Sequence, residues 1–386
     1  MKLLPYIFIF MAFAFGKAQS GNYNQGNLRI HQDGKIGFHA DLINDGVIDD
    51  NVGLAGFYGN ANTLEVSGAF AATFYDTEFM SQNGVLLSTP INIANNSNFI
   101  SGNVVTERSQ PAITLNYFDI GFSLGESNIS KVDGYASVNN QQNFTFPVGD
   151  NTQLRALILN SNSNNEVAKC AYFFEDPNNP TSFTTDFNTN IKSGNIGTVS
   201  TEEFWRLEGS VASTINISWN NRSNIGVLTD DPNNVIPVGW SKATNQWVSL
   251  GGTSTGDLTQ GFVVSASFVP DDYEVITFSG GGEPSDLLTL DNYLVTPNGD
   301  GINDVLEFPE LELSPNNHMR IYDRYGLKVF DKQNYVNEFN GFSNVDGFVI
   351  NKEKGLPSGV YFYIISMDDL GLDFQGYLYL GTQNTN

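Results

Sequence analysis

The sequence predicts an all-β protein, and three observations carry that expectation. No stretch after the first twenty residues has the 3.6-residue apolar period of a long amphipathic helix. Short apolar or alternating runs recur instead, separated by clusters of Asn, Asp, Gly and Ser. Charged residues make up only 16% of the 386, against the roughly 25% usual for globular chains, while Gly alone contributes 38. Turn-forming residues without charge fill the gap.

Taken in order, the chain opens like an export leader. Lys2 precedes an apolar run from Leu3 to Phe15, and Gly16-Lys17-Ala18 supplies small residues where a signal peptidase reads. The run is too short to span a bilayer as a stop-transfer helix, so residues 1–18 are expected to be a signal peptide cleaved near Ala18. Removing Lys2 and Lys17 with it leaves 16 basic against 42 acidic residues, a net charge of -26. No Cys follows the cleavage site to take a lipid, and no later apolar stretch is long enough for a transmembrane helix.

From 21 to 143 the apolar pieces are very short, among them Ile36–Phe38, Leu54–Phe57, Leu64–Val66 and Val104–Val105. Turn formers such as Asp33-Gly34, Asn44-Asp45-Gly46 and Asn83-Gly84 break them up. Spacing of that kind suits a β-solenoid or an irregular β region, and the residues do not choose between them. From 144 to 279 the runs lengthen, as in a β-sandwich. Val211–Trp219 places Val211, Ile215, Ile217 and Trp219 on one face, with Asn216 and Ser218 on the other. Residues 280–286, Gly-Gly-Gly-Glu-Pro-Ser-Asp from Gly280, form the clearest linker. The last region is 287–386. In it Tyr325-Gly326 is a hairpin signal, and Gly359–Ile365, apolar at every position after the Gly, is expected to be a central strand covered on both faces.

Composition excludes several functions. No two of the 18 basic residues are adjacent, so there is no cationic track for nucleic acid or an anionic membrane. A single cysteine, Cys170, excludes a disulfide framework and a thiolate zinc site, and its apolar neighbours make it a small buried hydrophobe.

Region 287–386 also carries a resemblance. Leu294–Asp304 reads Leu-Val-Thr-Pro-Asn-Gly-Asp-Gly-Ile-Asn-Asp. Met319-Arg320-Ile321-Tyr322-Asp323-Arg324-Tyr325-Gly326, Asn340-Gly341, Leu356-Pro357-Ser358-Gly359-Val360-Tyr361 and Gly376-Tyr377-Leu378-Tyr379-Leu380 follow. This order resembles the gliding motility-associated C-terminal domain of Bacteroidetes proteins, a type B sorting domain of the type IX secretion system. Phe339 stands where that family usually has Trp, and only a packing consequence is expected. The resemblance implies an Ig-like β-sandwich, recognition by the type IX secretion machinery, passage across the outer membrane, and a secreted or cell-surface location. Its defining residues would be Pro297, Asn298, Gly299, Asp300, Gly301, Asn303 and Asp304, with Gly359 and Tyr361. A second, weaker resemblance joins Phe144–Asp150, Leu154-Arg155, Glu203–Trp205 and Ile215–Trp219 to a region that precedes such domains in surface proteins; it implies no activity.

Two constellations admit a chemical reading. Counted from Thr296, Asn298, Asp300, Asp304 and Glu307 take oxygen-donor positions of a calcium loop. Thr at the first position, Pro297 and the lack of flanking helices favour a turn whose side chains cap their own backbone. Asp41–Asp49 is a poorer version, with Ile43 at a ligand position. All four tryptophans, Trp205, Trp219, Trp240 and Trp247, lie in the middle region, where they form either a sandwich core or a platform for sugar rings. The core reading is favoured.

Nothing marks a catalytic centre. His31, His39 and His318 are the only histidines, and HExxH, P-loop and GxGxxG patterns are missing. The sequence is therefore expected to be a non-enzymatic structural or adhesion protein without a resident cofactor. A carbohydrate-binding surface module with a polysaccharide or glycan partner is the first alternative, and a surface glycoside hydrolase the second.

Overall fold

The computed structural model describes residues 21–193, 196–281, 293–309, 311, 314–345, 355–367 and 372–381. The expected signal peptide and linker residues 282–286 lie outside them. The chain is all-β. Among the described residues there is no α-helix, only single 3-10 turns such as Asn221–Ser223. Two compact units are present: one runs to Ile158 and includes Ser163–Tyr172, and the other comprises Leu159–Asn162 and everything from Phe173.

The first unit settles the choice left open by the sequence, because its strands stack in parallel as a β-solenoid. One sheet runs Gly21–Asn24, Asp41–Asn44, Leu64–Ser67, Val85–Leu87, Val104–Thr106, Val132–Asp133 and Val148–Gly149. A second is built from Lys35–Phe38, Leu54–Gly59, Ala72–Ser81, Ile91–Ser101, Leu115–Phe118 and Tyr135–Phe146. Each turn of chain contributes one strand to each sheet, so like residues fall above like. Phe38, Phe57, Phe79 and Phe99 align in register. Their buried rings lie 5.2, 5.5 and 5.6 Å apart up the stack.

Polar side chains are stacked inside as well. Buried Asn44 accepts a hydrogen bond from Asn24 Nδ2 at 2.8 Å and donates to the Phe70 carbonyl at 2.9 Å. Asn51 accepts from the Ile30 amide and donates to the Thr73 carbonyl. Each amide thus joins three successive turns and satisfies backbone groups that a short strand leaves unpaired. Arg108 reaches Asp133 at 2.8 Å and donates to the carbonyls of Gly149 and Tyr172. Cys170 is buried, as its apolar neighbours require.

The second unit begins with antiparallel strands. Phe204–Gly209, Tyr273–Gly281, Val235–Ser241 and Gln246–Ser249 form one group; Ser213–Trp219, Gly261–Val264 and Thr253–Gly256 form another. The alternation of Ser213–Trp219 is realised, with Ile215, Ile217 and Trp219 buried. All four tryptophans are in the core. Trp205 and Trp219 both meet Phe278 edge-on, at 5.6 and 6.1 Å. Trp240 and Trp247 are cross-strand partners 5.7 Å apart, and even Trp240 is only 8% exposed. Their burial agrees with the core reading favoured from sequence: the indole faces are spent on packing.

Within the same unit, the C-terminal region forms a separate five-stranded sheet. Its order is Tyr293–Val295, Leu372–Leu380, Gly359–Met367, Asn317–Tyr322 and Lys328–Gln333. The inner face carries Met319, Ile321, Tyr361, Tyr363, Ile365 and Leu378, covered by Leu306, Phe308, Tyr335, Phe339 and Leu356.

Candidate functional site

The motif Thr296–Asp304 follows the edge strand Tyr293–Val295 and folds into a loop held by its own side chains. Asp304 is the hub. One carboxylate oxygen accepts from the amides of Asn298 and Gly299 at 2.9 and 2.7 Å, and the other accepts from the Gly301 amide at 2.8 Å. Those three bonds hold its carboxyl below the ordinary aspartate value, the Gly299 and Gly301 amides contributing most. Asn298 Oδ1 accepts from the Asp300 amide at 2.9 Å, and Asp300 accepts from the Ile302 amide at 2.8 Å. Gly299 and Gly301 have φ of 80° and 82°, a region open to glycine and costly for most side chains, while Asn303 tolerates 54°. The string of Asn, Gly and Asp is thus a set of backbone caps in the residue types that can make them.

Donors of the expected calcium loop are engaged with the loop's own backbone. Asn298, Asp300 and Asp304 are brought together, and both oxygens of Asp304 face amide hydrogens. Among the described residues no group of three or more His, Cys, Asp or Glu is placed to hold a metal. The loop is self-capped.

The other motif residues complete the frame. Pro297 packs toward Gly341 and Leu380; a Cβ placed on Gly341 would lie 3.2 and 3.1 Å from them. Phe339, in the place of the family's Trp, is fully buried against Phe330, with ring centres 5.1 Å apart, so the substitution is one of packing. Gly359 starts its strand opposite Leu380, and Tyr361 turns its hydroxyl back to donate to the Pro357 carbonyl at 2.8 Å. The Tyr325-Gly326 signal marks a real hairpin: Asp323 accepts from the amides of Tyr325 and Leu327 at 2.8 and 2.9 Å. His318 lies 2.6 Å from Asp331, and it is the main cause of the lowered Asp331 carboxyl.

One expectation fails. Gly359–Met367 is central, but only one of its faces is covered. On the outer face Val360 pairs with Tyr379 and Phe362 with Tyr377, and Leu294 lies beside Tyr379. Phe362, Tyr377 and Tyr379 remain 49, 47 and 50% exposed. Sequence pattern cannot separate a strand buried on both faces from one whose second face is apolar and bare. The edge strand Lys328–Gln333 also has a feature the sequence did not announce. Asn344 accepts from the Asp331 amide at 2.8 Å and donates to its carbonyl at 2.7 Å, taking the place of a neighbouring strand at that residue.

A capped Asn-Gly-Asp-Gly loop, a Tyr-Gly hairpin and a Gly-Val-Tyr strand in this order on one sheet decide the comparison with known families. Residues 288–380 match the CHU_C Type IX secretion signal domain. No curated protein and no solved structure matches the chain. The match assigns the five-stranded sheet and its loops to the signal domain, and it indicates export by type IX secretion to the cell surface or the extracellular space. No helix among the described residues is long and apolar enough to cross a membrane.

Proposed function

We propose that this chain is a non-catalytic structural or adhesion protein, exported after cleavage of a leader near Ala18 and displayed on or released from the cell surface. The observation that carries the reading is the signal domain at 288–380, with its motif loop fully built from its own caps. The secretion machinery is offered two things on a rigid sheet: the capped loop, and the bare aromatic face around Phe362 and Tyr377. Recognition sites are commonly exposed loops held by a scaffold of this kind.

Asp45, Asp257, Asp304 and Asp331 are all held low, by hydrogen bonds from Tyr23, Thr259, Gly299 and His318 respectively. That direction suits capping and ion pairing. The test is export of a chain lacking 287–386. It should accumulate behind the outer membrane, and its appearance on the surface or in the medium would overturn the sorting role. Loss of cell attachment on deleting the whole gene, restored by the full chain, would establish adhesion.

A further inference from the structure

A groove on the first unit lies outside the signal domain. Its lining includes His39, Asp41, Tyr58, Asn62, Thr63 and Met80, and its volume is about 870 Å³, near the top of the roughly 300–1,000 Å³ range of small-molecule sites.

The floor follows from an internal repeat. Gly37-Phe38-His39 and Gly56-Phe57-Tyr58 occupy neighbouring parallel strands, with Gly37 opposite Gly56. In each triplet the Phe points into the solenoid and the following ring folds back over the Gly. A Cβ on Gly56 would lie 2.1 Å from the Tyr58 ring carbon Cζ, and one on Gly37 would lie 3.1 Å from His39 Nε2 and 3.3 Å from the Tyr58 ring. Glycine is needed here because it lets a ring lie down on the sheet. The two rings are 5.4 Å apart and tilted by only 33°. Met80 continues the row, opposite Tyr58 in the next strand and 41% exposed.

Tyr58 is held from its far end. Its hydroxyl donates to Glu78 Oε2 at 2.7 Å, and burial together with that carboxylate raises its pKa to about 12. The phenol stays a neutral donor and the ring stays in place. Along the rim lie Asn60 and Asn62, with Asp41, whose Oδ1 accepts from the Glu65 amide, and Thr63, whose hydroxyl donates to the Asn83 carbonyl. No Lys or Arg lines the groove.

We propose that this groove binds an uncharged glycan, with a pyranose ring lying on the Tyr58–His39 floor and its hydroxyls bonded to the rim. A flat aromatic floor meets the C–H-rich face of a sugar, and amides and carboxylates exchange hydrogen bonds with hydroxyl groups. Acidic polysaccharides are disfavoured, because the rim carries a carboxylate with no cation and the chain is strongly acidic overall. This inference deepens the adhesion reading and rests on it only for biological purpose; binding itself is a property of the purified chain.

The experiment is affinity electrophoresis and calorimetry of the chain lacking residues 1–18, against neutral glucans, mannans and galactans and against alginate and polygalacturonate. Retention by a neutral polysaccharide is expected. Tyr58→Ala should weaken it at least tenfold, and Tyr58→Phe, which keeps the ring, should change it less than threefold. Ala61→Arg, an exposed change in the groove wall, should block binding without affecting the fold, and so it guards against a Tyr58→Ala that simply unfolds. Retention by no neutral polysaccharide, equal binding of the acidic ones, indifference to Ala61→Arg, or capture of a peptide instead of a glycan would each overturn the assignment. None of these outcomes bears on export, which is read by deleting 287–386.

Discussion

The solenoid and the signal domain solve one problem in opposite ways. Both contain many short segments whose backbone groups need partners. In the solenoid the partner comes from the next turn of chain, as when Asn44 links Asn24 to Phe70 across successive turns. In the signal domain it comes from within a few residues, as when Asp304 gathers the amides of Asn298, Gly299 and Gly301. Stability in the first is shared along a stack in which each rung depends on its neighbours. Structure in the second is local and detachable. A region that displays surface can be lengthened or shortened by rungs, whereas a region that is read must keep one shape.

The largest effect that tests this contrast is Phe57→Ala. Phe57 sits between Phe38 and Phe79 in the buried ladder. Its loss should cost about 3–5 kcal/mol, seen in chemical denaturation as a lower midpoint of the solenoid transition. Amide exchange should rise in the flanking rungs and stay unchanged at residues 298–304. Equal loosening of the signal loop would show that the two regions are not independent.

Asn44→Ala comes next. It removes the donor to the Phe70 carbonyl and one acceptor of the Asn24 amide, with a cost of about 1–3 kcal/mol, as when a hydrogen-bonding group loses its partner. Leucine at the same place should do no better, since shape is not what is missing. A neutral result in the same denaturation assay would mean that the amide stack is ornamental.

The smallest global effect belongs to Asp304. Because its carboxyl is held below the ordinary value of 3.8, its contribution is complete above that value and is lost as pH falls through the lowered one. In NMR the folded chain should show an Asp304 carboxyl titrating below 3.8, with the amides of Gly299 and Gly301 shifting alongside it. Asp304→Asn should remove that titration, speed exchange at those amides and reduce surface display, with almost no change in melting of the whole chain. A melting change as large as that of Phe57→Ala would contradict a local loop.

Turn chemistry was the most legible part of the sequence. Asn-Gly-Asp-Gly predicted a self-capping loop because those residues are the ones that accept positive φ and bond their own backbone. The strand character of the first region was equally plain, but its parallel pairing was not. Runs as short as Leu64–Val66 have the same alternation in a solenoid as in a sandwich; only their neighbours differ. The repeated Gly-Phe-aromatic triplets at 37–39 and 56–58 were the available signal for stacking in register. The four tryptophans were harder still, since an indole that packs on Phe278 and one that packs on a sugar occupy similar sequence. Burial separates them, and burial belongs to the fold.

The small clasp of Asn344 on Asp331 has a consequence for traffic. An edge strand invites other strands, and many copies of the same exported chain pass through one compartment. By presenting its own amide where a foreign backbone would zip on, Asn344 makes the sheet a poor template at that point. The signal domain thus keeps its outer aromatic face exposed while its edge is blocked at that residue.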